Sequence, residues 1–142
     1  MTNILALPMT QLAIQTSNNE DWVDSIMFMV GTDDPAATPT DQLDLRGITF
    51  DMEVRRTLGD AEIILAASTD TGTLQIGLPP DFGFLIINIP IVDMQSLSAG
   101  VYVGDITGRD GIYTRVAVQF TLTIVQGATI QPVNERIVVE AP

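Results

Sequence analysis

The sequence contains no cysteine, no histidine and no lysine. Without cysteine there are no disulfides, no thiolate nucleophiles and no thiolate metal sites. Without histidine the commonest general base and the commonest metal ligand near neutral pH are gone. Without lysine, Schiff-base and P-loop chemistry are gone as well. Carboxylates, hydroxyls, tyrosine and arginine are what remain for catalysis. Aromatic residues make up only 6% of the chain, too few for a broad exposed stacking platform. No apolar run approaches the ~18 residues that suggest a membrane helix. The N-terminal stretch MTNILALPMTQLAIQ has no basic segment, and Pro8 and Gln11 interrupt its apolar run, so a signal peptide is not expected. Positive charge is scarce too. Eighteen acids face six bases, all arginine, for a net charge of −12. Nucleic-acid binding needs a basic face, so neither nucleic acid nor an anionic membrane surface is an expected partner.

What is present is a chain of 142 residues with 46% hydrophobic content, enough for one domain with a real core. The apolar residues recur with period two. Ile112, Val116, Val118, Phe120, Leu122 and Ile124 share one parity of a long segment, while Arg115, Gln119, Thr121 and Thr123 take the other. That is a strand with one buried face. Leu45 to Arg56 repeats the pattern, with Ile48, Phe50, Met52 and Val54 against Thr49, Asp51, Glu53 and Arg55. Further strands are expected over Met9–Thr16, Thr73–Leu78, Phe82–Ile89 and Ala99–Ile106; Glu62–Ser68 reads as a short strand or a helical turn, and Arg136–Glu140 as a last edge strand or a mobile tail. Trp22–Val30 is mostly apolar and reads as a central strand buried on both faces. Pro-Pro-Asp at 79–81 joins a hairpin, and residues 91–100 make one helical turn. The expected fold is an all-β, antiparallel sandwich of about eight to nine strands. A core over about residues 20–125 would carry extended arms at 1–19 and 126–142.

Four groups of residues could carry chemistry. Gly100, Gly104, Gly108 and Gly111 have the glycine content of a phosphate loop, but no lysine and no helix follow. Strand chemistry explains them better, with Gly104 at a bulge or close backbone contact and Gly108 and Gly111 flanking a turn at Arg109-Asp110. Asp33, Asp34, Asp41 and Asp44 lie in the long polar stretch Gly31–Asp44. They offer oxygens for calcium, yet their spacing is not that of a helix-loop-helix site, and a solvated loop explains them. Glu20, Asp21 and Asp24 surround Trp22, as in some carbohydrate sites, although a lone Trp heading an apolar strand more often anchors a core. Asp51 and Glu53 share a strand face at a glycosidase-like separation, but that face reads as exposed and paired with Arg55. No catalytic, cofactor or metal residue is assigned, and the chain is not expected to be an enzyme.

A resemblance adds to this. Asp44, Gly47, Phe50, Val54 and Arg55 form one block; Ile89-Pro90, Leu97, Gly100, Tyr102, Asp105 and Ile106 a second; Arg115, Phe120 and Thr121 a third. Together they resemble small immunoglobulin-like (Ig-like) proteins of tailed bacteriophages and prophages, over roughly residues 43–125. The resemblance implies a non-enzymatic virion protein of the tail, baseplate or fibre apparatus, made in the bacterial host cytoplasm. Its implied partners are other virion structural proteins and further copies of itself in a symmetric assembly. A head decoration or head-fibre-base protein is the near alternative. A carbohydrate-binding or adhesion module is the distant one. One of the arms, Thr2–Thr16 or Arg136–Glu140, is expected to mediate assembly by adding a strand to a neighbour's sheet edge.

Overall fold

In a computed structural model, residues 2–30 and 41–128 are described. They form an all-β sandwich of eight strands in two sheets. The strands are β1 Thr10–Ser17, β2 Trp22–Met27, β3 Thr49–Arg55, β4 Leu65–Ser68, β5 Leu74–Ile76, β6 Phe84–Ile89, β7 Gly100–Arg109 and β8 Thr114–Val125. One sheet has the order β1-β8-β7-β3-β4 and the other β2-β6-β5. A 3₁₀ turn over Ile4–Ala6 precedes β1, and the short helix α1, Ile91–Met94, links β6 to β7.

The alternation explains the layers. Phe50, Met52 and Val54 of β3 are fully buried, as are Ile106 of β7 and Val118 and Leu122 of β8. They meet Leu85 and Ile87 of β6 and Leu74 of β5 from the opposite sheet. Trp22 is 1% exposed and stands edge-on to Phe120, with centroids 6.3 Å apart and an interplanar angle of 67°. The ends of the sandwich are closed by Ile4, Leu7, Leu45, Met94 and Leu97. Tyr102 is buried at the start of β7, and its hydroxyl donates to the Ser98 carbonyl at 2.6 Å.

Several expectations change. The N-terminal segment is no extended arm. Thr10–Ser17 pairs in parallel with β8 of the same chain, from Thr10 opposite Val118 to Ser17 opposite Val125. The sandwich is therefore antiparallel except at this seam. Asn18, 6% exposed, locks the junction. Its amide donates to the Leu97 carbonyl and Gln126 Oε1, and its Oδ1 accepts from Gly127 N–H. Nor is β2 a central strand. It lies at the edge of its sheet, and because the sandwich has only two sheets its outward face is uncovered: Val23 and Met27 are 62% and 47% exposed.

The period of β8 also breaks. The register with β7 shifts between Ile106 and Thr107, leaving Ala117 as an extra residue. Ala117 and Val118 are consecutive and both fully buried. A bulge of this kind reverses parity. Ile112, expected in the core, lies before the strand and is 83% exposed. Gly108, expected in a turn, sits within β7 opposite Arg115, where a Cβ would meet Leu7, Ile48 and Phe50. The turn itself is residues 110–113, with Gly111 at φ +95°. The hairpin around residues 79–81 and the helical turn after Pro90 form as expected. Arg136–Glu140, most of the 126–142 arm, Asp33 and Asp34 lie outside the described residues.

Candidate functional site

The outward face of the five-stranded sheet carries rows of polar side chains. Pairing aligns them in rows across the strands. One row runs Ala66, Glu53, Asp105, Gln119, Gln11, one residue from each strand. The next runs Arg55, Val103, Thr121, Ala13. Leu58 and Gly59, from the connection between β3 and β4, overhang these rows and wall a groove of about 700 Å³. A second hollow of about 550 Å³ lies beside it, over Asp51, Ser68 and Thr107.

Glu53 and Asp105 are directly opposed across β3 and β7, which brings like charges together. Glu53 is held by Arg55, whose guanidinium donates to its Oε2 at 2.7 Å and to the carbonyls of Asp60 and Ala61. Burial raises the Asp105 pKa above the ordinary aspartate value, and the Glu53 carboxylate raises it further; Arg55 opposes both. Asp51 is held apart from this pair by Arg109, at 2.9 Å. The same guanidinium reaches Asp70 at 3.5 Å. The row can accept hydrogen bonds from a hydroxyl or ammonium group. The chain has no imidazole, thiol or lysine amine to shuttle a proton beside it.

The residues singled out in the sequence are dispersed. Asp51 and Glu53 do share a face, but each is tied to its own arginine. The carboxylate that meets Glu53 is Asp105, which sequence separation hid. Of the acids around Trp22, Asp24 accepts from the indole N–H at 2.7 Å, Asp21 from Ile91 N–H at 2.7 Å and Glu20 from Ser17 N–H at 3.2 Å. Each closes a local structural bond, and the buried indole offers no stacking surface. Asp44 binds Arg46 through both carboxylate oxygens, which holds its pKa below the ordinary value. That guanidinium lies 3.9 Å over the Phe82 ring. Among the described residues, no group of three or more His, Cys, Asp or Glu side chains could hold a metal ion.

The four glycines do not converge. Gly100 opens β7, Gly104 lies under the Phe120 ring, Gly108 faces the core and Gly111 makes the turn. Asp110 organises that turn, accepting from Ile112 N–H at 2.9 Å, Tyr113 N–H at 2.8 Å and the Thr2 hydroxyl at 2.8 Å. These bonds, led by the one from Tyr113, lower its pKa. Arg115 turns towards the carbonyls of Leu5 and Leu7, both at 3.5 Å, and so fastens the segment before β1. Among the described residues, no helix is long and apolar enough to cross a membrane. No protein-family model matches the chain, and no curated protein sequence matches it.

Proposed function

We propose that the chain is a non-enzymatic structural protein of a tailed-bacteriophage virion, an Ig-like module that assembles through its sheet edges in the tail, baseplate or fibre apparatus. The observation that carries the Ig-like part is the strand order. Strands β8-β7-β3-β4 follow the G-F-C-C′ order and β2-β6-β5 the B-E-D order of Ig sandwiches. The bond from Tyr102 back to Ser98 is the tyrosine corner of that fold, at the entry to its F strand. The virion part is supported by the resemblance over residues 43–125.

An assembly role has physical support in the second sheet. Its outward positions, Val23, Ser25, Met27, Gln75, Phe84, Ile86 and Asn88, carry no charge in a chain of net charge −12. Depletion of charge with Met and Phe present is the composition of an interface centre. The carbohydrate-binding alternative has less support, because Trp22 is in the core. The test is mass spectrometry and antibody labelling of particles purified from the encoding host. The expected result is the chain at a fixed copy number in the particle. Its absence from every particle removes the reading.

A further inference from the structure

The sheet edge at β1 is chemically palindromic. From Thr10 to Thr16 the strand reads Thr-Gln-Leu-Ala-Ile-Gln-Thr, symmetric about Ala13. Gln11, Ala13 and Gln15 point outward and are exposed; Leu12 and Ile14 point inward and are only partly buried against the core. Among the described residues, no strand pairs with the far side of β1. The strand contains no charge, no proline and no glycine, so it lacks the usual devices that block edge pairing. The other edges differ. β2 carries the inward-pointing Asp24, β4 has four residues and β5 has three.

We infer that β1 pairs antiparallel with β1 of a second copy about a two-fold axis at Ala13, joining two five-stranded sheets into one. This rests on the assembly reading above and names its partner. In an antiparallel pair, directly opposed residues lie on the same face. Centring on Ala13 sets Thr10 opposite Thr16 of the second copy, Gln11 opposite Gln15, Leu12 opposite Ile14, and Ala13 opposite itself. Every pair then joins like with like: amide with amide outside, aliphatic with aliphatic inside, and the smallest side chain at the axis. Moving the axis to Leu12 sets Thr10 opposite Ile14 and Gln11 opposite Ala13, and moving it to Ile14 sets Leu12 opposite Thr16 and Ala13 opposite Gln15, so the match is lost. Isologous contacts need this self-complementarity. Charge selects the same edge, since two copies of net charge −12 meet at least cost where neither presents an acid.

The absence of native cysteine makes the test direct. Opposed Cα atoms in an antiparallel pair are about 4.5–5.5 Å apart, within the roughly 4.4–6.8 Å that a disulfide spans. Ala13→Cys, at an exposed position, is expected to oxidise to a covalent dimer of twice the chain mass. Gln11→Cys should not, because its counterpart sits four residues along, about 13 Å away. The Gln11→Cys/Gln15→Cys double variant should crosslink again. Sedimentation over a concentration series is expected to give a dimer for the full chain and a monomer for Ala13→Lys, with unchanged circular dichroism. Overturning results are a monomer at every concentration, equal crosslinking of the first two variants, or a dimer that Ala13→Lys leaves intact. A chain that is monomeric yet present in particles sinks this pairing alone; a dimer absent from particles sinks the virion reading alone.

Discussion

Replacing Gly104 with alanine separates close packing from backbone flexibility, because the two effects have opposite signs. In an unobstructed strand, Gly→Ala stabilises by roughly 0.5–1 kcal/mol through lost unfolded-state entropy. At Gly104 there is no room. The added Cβ would fall on the Phe120 ring, 2.8 Å from Cε2, and 3.0 Å from the Glu53 carbonyl oxygen. Phe120 is not free to move, since it packs edge-on against the buried Trp22. Overpacking of this kind costs about 1–3 kcal/mol, so a net loss of about 1–2 kcal/mol is expected. Urea unfolding should give a lower midpoint at unchanged slope. In a Phe120→Leu background the obstruction is removed and the same substitution should become neutral or stabilising. That implies a coupling of about 2 kcal/mol between the two sites. A stabilising Gly104→Ala in the native background, or additivity within about 0.5 kcal/mol, would refute the packing argument.

Tyr102→Phe removes the bond to Ser98 and should cost about 0.5–1.5 kcal/mol in urea, with native secondary structure retained. Asn18→Ala leaves the buried Leu97 carbonyl and the Gly127 N–H without their Asn18 partner; a loss of about 1–3 kcal/mol is expected, with faster amide exchange along β1. For Asp105 the folded pKa lies above the unfolded value, so its charged form opposes folding. That penalty is present above the folded pKa and is relieved as pH falls through it towards 3.8. Asp105→Asn should therefore be more stable than the native chain near neutral pH and lose that advantage in acid, read from unfolding curves at both ends. Trp22→Ala should destabilise by about 3–5 kcal/mol, as core aromatics do. A fully stable variant would place the indole outside the core.

The layers of the sandwich were legible because a half-buried strand must alternate. Phe50, Met52 and Val54 could be assigned to the core without knowing what they touch. Pairing was not legible. Which strand lies beside β1 depends on β8, about a hundred residues away, and nothing local in Thr10–Ser17 encodes a neighbour. The same gap hid the site. Glu53 was visible as an outward acid and Asp105 only as a residue of an expected strand, and the β3–β7 register alone sets them face to face. Apolar content misled at β2, where an edge strand and a central strand can share a composition and differ in what lies beside them. A bulge is one residue of backbone geometry, so Ala117 carries no composition signal, yet it moves Val116 off the core parity. The palindrome of β1 was in the sequence throughout. It acquired meaning once the strand proved to lie at a sheet edge.

The central claim is that this sandwich is a building block of a phage particle. The direct measurement is an electron cryomicroscopy reconstruction of particles from the encoding host. The expected result is density for the eight-stranded sandwich at a defined symmetric position, with a sheet edge or the charge-free face of β2-β6-β5 against a neighbouring subunit. Particles complete at that resolution with no position for this chain would contradict it.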